Sequence, residues 1–198
     1  RCSPVTSINP VGGKRKPGSI GLPLPGVEMK IVDEKGNELQ PGEIGEIVVR
    51  GENVMKGYFK LPEETENSFF GEWFRTGDMG YKDEDGYFYI VDRKKDMLIV
   101  NGINVYPRII EQVISTHPAV KEVAVIGEPH PLHGEIPKAI ISVKEGMSIS
   151  KKEIIQLCKK HLGKYEIPRK IEFMEELPKT PTGKINKNLL RKSNYKTK

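Results

Sequence analysis

The chain has 198 residues, 36% hydrophobic and 30% charged, with a formal net charge of +5. That composition suits a water-soluble globular protein built as one medium domain or two small ones. No apolar run approaches about 18 residues, which argues against a membrane-spanning helix, and the opening residues do not read as a basic-then-apolar leader.

The predicted elements begin with short strands. Val27–Val32 ends at Asp33-Glu34-Lys35-Gly36, a polar turn whose glycine accepts positive φ. Residues 44–50 hold the β-rich run Ile47-Val48-Val49. Pro62-Glu63-Glu64-Thr65 marks a helix start, with proline and acids in its first turn. Residues 83–86 form another turn, and residues 87–91 another strand. Many short strands with turn signals predict a small barrel or folded sheet.

The second half alternates strands with helices. Pro107 opens a helix whose Ile109, Ile110, Val113 and Ile114 share a face. Residues 120–126 and 139–143 are apolar, β-branched strands. Residues 151–162 have helical spacing, 169–174 a third strand pattern, and 186–191 a short closing helix. The pattern is that of a compact α+β domain. Charge shifts at the same place: residues 1–92 hold 11 Lys/Arg against 16 Asp/Glu, a balance of −5, and residues 93–198 hold 21 against 11, a balance of +10. Pattern and charge together put a domain boundary near residues 92–95. The polar tail from Lys192 onward is expected to fray.

Cys2 and Cys158 are too few and too far apart for a disulfide framework, which points to a reducing cytoplasm. Pro129-His130-Pro131-Leu132-His133-Gly134 has no cysteine pair nearby, so it reads as an exposed turn rather than a zinc site, and no metal site is expected.

Four polar segments invite chemistry. In Trp73-Phe74-Arg75-Thr76-Gly77-Asp78 a carboxylate follows a Thr-Gly pair that predicts a tight turn. Such a carboxylate can accept hydrogen bonds from both hydroxyls of a ribose, although on its chemistry alone a turn-capping aspartate is the better reading. In Asp92-Arg93-Lys94-Lys95-Asp96, Arg93 offers a rigid fork of donors to ribose or phosphate oxygens, or a surface ion pair with Asp92 or Asp96. Lys95 alone reads as a solvated lysine. In Val100-Asn101-Gly102-Ile103-Asn104-Val105-Tyr106-Pro107, Gly102 either lets a ligand approach or closes a β-turn before the helix. In Pro178-Lys179-Thr180-Pro181-Thr182-Gly183-Lys184, a flexible glycine precedes an ammonium that could neutralise charge on a carboxylate–phosphate transition state. It is not a Walker loop, which needs glycine where Pro178 stands. Without further context it is a basic loop.

In this order the segments resemble the AMP-forming acyl-CoA synthetases, the superfamily that also holds peptide-synthetase adenylation domains and beetle luciferases. The resemblance covers nearly the whole chain. Cys2-Ser3-Pro4-Val5, Gly18-Ser19-Ile20-Gly21-Leu22-Pro23 and Val91-Asp92-Arg93-Lys94-Lys95-Asp96 are most similar to long-chain fatty-acid–CoA ligases. The resemblance implies that Asp78 and Arg93 bind the adenosine ribose and that Lys95 is a hinge. It also implies that Gly102 lines a CoA channel and that Lys184 is the catalytic lysine of adenylation. Asn104 departs from relatives with a basic residue there. Gly45-Glu46-Ile47, Gly51, Gly57-Tyr58 and Lys164-Tyr165-Glu166-Ile167-Pro168 match segments read as structural.

The implied architecture is mixed α/β. Residues 1–92 would be the β-rich, barrel-like C-terminal part of a large adenylate-forming domain, and residues 93–198 a small, mobile α+β lid domain. The implied activity uses ATP, Mg2+ and CoA to convert a fatty acid to its thioester. The phosphate-cradling loop, most of the acyl pocket and a magnesium-holding glutamate are expected upstream of Arg1. The chain is thus expected to be a C-terminal fragment, inactive alone and without a tightly bound cofactor. Its partners would be the three substrates and the upstream part of the same enzyme. No nucleic acid and no transmembrane segment are expected, and peripheral membrane contact stays open. The alternatives are another adenylate-forming enzyme, such as an aryl-CoA ligase or a peptide-synthetase domain, and a non-catalytic basic domain that binds nucleic acid or another protein.

Overall fold

The computed structural model describes residue 2 and residues 4–192. Ser3 and the tail beyond Lys192, where fraying is expected, lie outside these residues. Backbone contacts divide the chain into two units, one ending at Lys95 and the other beginning at Asp96.

The first unit is built on antiparallel strands. Two short strands, β1 (Ser7–Ile8) and β2 (Leu22–Pro23), pair with each other. The main sheet contains β3 (Val27–Val32), β4 (Gly45–Gly51), β5 (Phe69–Phe70), β6 (Trp73–Lys82) and β7 (Phe88–Arg93) in the order β3-β4-β6-β5, with β7 also on β6. Alternation puts Met29 and Ile31 against Ile47, Val49 and Phe88 in one core. Gly45 through Val49 are all buried, so β4 is covered on both faces. Helix α1 (Pro62–Asn67) starts at its proline and buries no residue.

Two cationic clusters brace this sheet. Trp73 has Lys30 4.2 Å and Arg50 4.7 Å from its ring centroid, and Arg50 also pairs with Glu28 and Glu72. Lys14 and Lys16 pair with Asp85, and Lys16 also with Asp83. The Tyr87 hydroxyl donates to the Lys14 carbonyl. These contacts tie the segment before β2 to the β6–β7 turn.

The second unit has a sheet in the order β10-β11-β8-β9, from β8 (Leu98–Val100), β9 (Ile103–Val105), β10 (Val120–His130) and β11 (Gly134–Val143). Strand β12 (Lys170–Phe173) pairs parallel to β11. Helices α2 (Pro107–Ser115) and α3 (Lys151–His161) cover it, and Ile110, Ile114, Ile154 and Cys158 are fully buried. Each such isoleucine contributes roughly 1.5–3 kcal/mol through burial. Ser150 and Glu153 form a reciprocal cap at the start of α3. Helix α4 (Lys187–Arg191) is capped by Asn186 and places Leu190 in a second small core with Ala124, Ile126, Ile140 and Leu177.

The mixed α/β class with curled sheets agrees with the expectation from the sequence. Strands β10 and β11 run beyond the expected 120–126 and 139–143, because backbone pairing continues through Gly127, Glu128 and Pro129 opposite Pro137, Ile136 and Glu135. Ladder bonds need no apolar side chains, so pairing runs past the apolar stretch into the less buried residues 127–130 of β10. Both cysteines carry free thiols. No helix among the described residues is long and apolar enough to cross a membrane.

Candidate functional site

Asp78 does not sit in a tight turn. It lies within β6, in a bulge. Val48 of β4 faces Arg75 and Glu46 faces Met79, so Thr76, Gly77 and Asp78 all stand opposite Ile47. Two local causes hold the extra residues. Gly77 adopts φ 72°, a conformation that disfavours a side chain. The Thr76 hydroxyl donates to the Ile47 carbonyl at 2.7 Å and accepts the Asp78 N–H at 3.0 Å. Side-chain bonds thereby replace the missing ladder bonds.

The bulge brings Asp78 opposite Arg93 on β7, where Arg93 Nε lies 2.7 Å from Asp78 Oδ1. Arg93 thus pairs through its side chain with Asp78, 15 positions away, while its backbone N–H donates to Asp92 Oδ1 at 2.7 Å. Its side chain is 58% exposed, and an ion pair so wet adds only about 0–1 kcal/mol to stability. The pair lines an open cavity of about 810 Å³ together with Thr76, Tyr58, Phe74 and Ile90. Tyr58, read from sequence as packing, faces this cavity.

Glu46 lies behind the bulge and is 3% exposed. Its Oε2 accepts from Arg75 at 3.0 Å and from Lys94 at 3.0 Å, and its Oε1 accepts the Gly77 N–H at 3.3 Å. Burial pushes its carboxyl up, but the hydrogen bonds and charges of Arg75 and Lys94 together outweigh this and hold it below the usual glutamate range. Sequence reading took Glu46 as structural. The available signal was a lone acid inside a continuous apolar strand, which must be partnered if buried.

Lys95 is exposed and lies in a single 3₁₀ turn over Lys94–Asp96. Asp96, beyond it, pairs with Arg191 of α4 at 2.7 Å.

Gly102 forms, with Asn101, the two-residue connection of the β8–β9 hairpin. Asn101 has φ 52° and Gly102 φ 78°, as a tight hairpin requires. A Cβ on Gly102 would meet nothing within 4 Å, so the site faces open space. The β10–β11 loop braces this turn. His133 Nδ1 lies 2.8 Å from Asn101 Oδ1, and Arg169 Nη1 lies 2.8 Å from His133 Nε2. A guanidinium only donates, so Nε2 accepts and Nδ1 carries the hydrogen toward Asn101. Burial first, then Arg169 and His130, hold the His133 pKa below its ordinary value. The sequence marked this loop as an exposed turn. That holds for Leu132, but His133 is half-buried and bonded.

Lys184 is exposed at the end of a hydrogen-bonded turn. The Thr180 N–H donates to the Lys184 carbonyl at 2.7 Å, the Gly183 N–H to the Thr180 carbonyl at 2.9 Å, and the Lys184 N–H to the Thr180 hydroxyl at 3.2 Å. Leu177 and Pro178 are buried beneath it, and Lys179 pairs with Glu122. The turn thus closes through its own hydrogen bonds, and the Lys184 side chain is exposed at its end.

The segments hold together as the parts of one known class. Residues 2–59 match the family model described as AMP-binding enzyme, and residues 109–184 that of the AMP-binding enzyme C-terminal domain. The chain belongs to the adenylate-forming enzyme family. It is 45% identical over 190 residues to the long-chain-fatty-acid–CoA ligase of Salmonella typhimurium, covering 96% of this chain and 34% of that protein. It superposes on ATP-bound MatB from Rhodopseudomonas palustris with a TM-score of 0.89 at 42% identity, covering 96% of this chain and 39% of that one. Bacillus subtilis o-succinylbenzoate CoA synthetase, MenE, in complex with its acyl-adenylate matches at TM-score 0.83 and 39% identity, over 91% and 37% of the two chains. The chain thus spans about a third of the length of the curated relative it matches.

Proposed function

We propose that this chain acts as the C-terminal part of a fatty-acid–CoA ligase, with residues 1–92 completing the large domain and residues 93–198 forming a mobile second domain. The observation that carries the reading is the Asp78–Arg93 pair, held by a bulge on a cavity wall rather than capping a turn. A carboxylate and a guanidinium 2.7 Å apart supply acceptor and donor together, which suits the two hydroxyls of an ATP ribose.

The reaction runs in two steps. A fatty-acid carboxylate oxygen attacks the α-phosphorus of ATP and pyrophosphate leaves. Lys184 offsets the negative charge that accumulates between carboxylate and phosphate. The CoA thiolate then attacks the acyl carbonyl and AMP leaves. Lys95 is the pivot between steps, and the open face at Gly102 borders the path of the thiol. Among the described residues no group of three or more His, Cys, Asp or Glu is placed to hold a metal.

A fatty acid is favoured by the named relative, and its likeness to MenE favours a second reading, an aromatic acid. Pyrophosphate release by the full-length enzyme with fatty and aromatic acids separates them. The basic second unit does not favour nucleic acid. Lys138, Lys170, Lys179, Lys187 and Arg191 are paired with acids of the same unit.

The ribose assignment is tested by Asp78→Ala in that enzyme. Losing one hydrogen-bonded partner costs about 1–3 kcal/mol, so the KM for ATP should rise roughly 5- to 150-fold while the KM for the acid stays put. An unchanged KM for ATP would return Asp78 to a structural role.

A further inference from the structure

We infer that Glu46 is a positioning residue for the nucleotide anchor and for the chain just before the pivot, acting through Arg75, Gly77 and Lys94. The inference rests on the reading of Asp78 and Arg93 as ribose ligands. Its carboxylate grips both sides of that pair. On β6 it holds Arg75 and the Gly77 N–H, immediately before Asp78. On the other side it holds Lys94, immediately after Arg93. One buried group therefore fixes where the two anchor residues enter and leave the site.

Stability alone does not account for such a group. Charges taken out of water lose hydration that a buried ion pair scarcely restores, and well-packed apolar replacements often serve a fold as well. What an apolar residue cannot supply is direction. Without its bond to Oε1 the half-buried Gly77 amide would lose its side-chain acceptor, and the three-residue bulge would be left to Thr76 and the Gly77 conformation. Without the bond to Lys94, the last residue of the first unit before Lys95 would lose its tether to β4. Lys95 itself makes no ion pair among the described residues, and Asp96 is held within the second unit by Arg191. The backbone is thus gripped on both sides of one exposed residue, which is where a torsional change can be absorbed.

The test uses Glu46→Gln, Lys94→Met and Asp78→Asn in the full-length enzyme, with active enzyme counted by titration. Glu46→Gln should raise the KM for ATP about tenfold in pyrophosphate release, with the KM for the acid unchanged. Lys94→Met, which leaves Arg75 on the carboxylate, should raise it two- to fivefold. A reversibly unfolded fraction would raise the apparent KM of both substrates, so the unchanged KM for the acid separates positioning from instability. If Glu46→Gln does not fold, Lys94→Met carries the test. An unchanged KM for ATP in the folded variants, beside a raised KM in Asp78→Asn, overturns the role of Glu46 and leaves the ribose reading standing. An unchanged KM in Asp78→Asn overturns the ribose reading itself, and the role of Glu46 falls with it.

Discussion

The two units carry their polar groups in opposite ways. In the first, Asp78 lies in a bulge of β6 and Arg93 ends β7, and the residues around them are bonded by Thr76 and the buried Glu46. In the second, Lys184 sits on an exposed turn closed by local hydrogen bonds, and Gly102 on an exposed hairpin turn braced by His133 of the same unit. A group embedded in a sheet keeps one geometry. A group on a turn whose partners all lie in its own unit can be carried wherever that unit goes without altering its own shape. An enzyme that must hold a nucleotide still while exchanging catalytic groups needs one of each.

The largest expected effect tests the turn at residues 180–184. Lys184→Ala should slow acyl-adenylate formation by about 10²–10³-fold, the scale of losing one group that stabilises transition-state charge. Thioester formation from supplied acyl-adenylate should change by less than about threefold, and the melting temperature should not move, because an exposed side chain contributes within about 0.5 kcal/mol. Equal loss in both half-reactions would break the comparison.

Gly102→Leu should produce the reverse pattern, with thioester formation down about tenfold and adenylation spared. Its φ of 78° adds roughly 1–2 kcal/mol of strain for a branched side chain. Gly102→Asn keeps a side chain there while removing most of the strain, since asparagine tolerates that conformation. If the asparagine variant keeps full thioester activity, the leucine effect is one of size or strain, and the turn itself is sound.

A smaller effect sharpens the independence of the units. Ser150→Ala removes the cap of α3 and should cost about 1 kcal/mol. The loss should appear in hydrogen exchange of α3 and its sheet, with amides of β3 and β4 unchanged. Matched loss in both units would show that they unfold as one.

The smallest effect concerns acid. Hydrogen bonds from Lys14 and then Lys16 hold the Asp85 carboxyl at about 2, below the ordinary 3.8. A depressed carboxylate stabilises the fold above its unfolded pKa, and that contribution is lost as pH falls from about 4 toward 2. The clasp between residues 14–16 and 83–85 should therefore loosen in that window, read by NMR shifts of Lys14 and Lys16. No change between pH 5 and 2 would show that the clasp has no part in acid stability.

Much of the fold was legible because apolar periodicity reports burial, as at Ile110 and Ile114 of α2 or Ile31 and Val32 of β3. The bulge at Thr76–Gly77–Asp78 was not, because its cause is a partner strand: Thr76 bonds to Ile47, 29 residues away. The local Thr-Gly pair suggested a turn, and tertiary pairing made it a strand. Gly102 was legible as a turn residue, but the brace from His133 and Arg169 joins three distant segments. Glu46 was the hardest, since an acid in a strand says only that it is exposed or partnered, and its partners lie 29 and 48 positions on.

Trp73 is the sole tryptophan and belongs to the first unit, packed beneath Lys30 and Arg50. Cys158 belongs to the second, fully buried, its thiol pushed up by burial to about 11. The molecule therefore carries one native reporter per unit. Indole emission follows the loss of cationic cover in the first. Thiol capture by an aromatic disulfide, in the slow phase after the half-exposed Cys2 has reacted, times the opening of the second. With no added label, the two traces recorded side by side tell which half of the chain gives way first, and whether a bound nucleotide delays one clock or both.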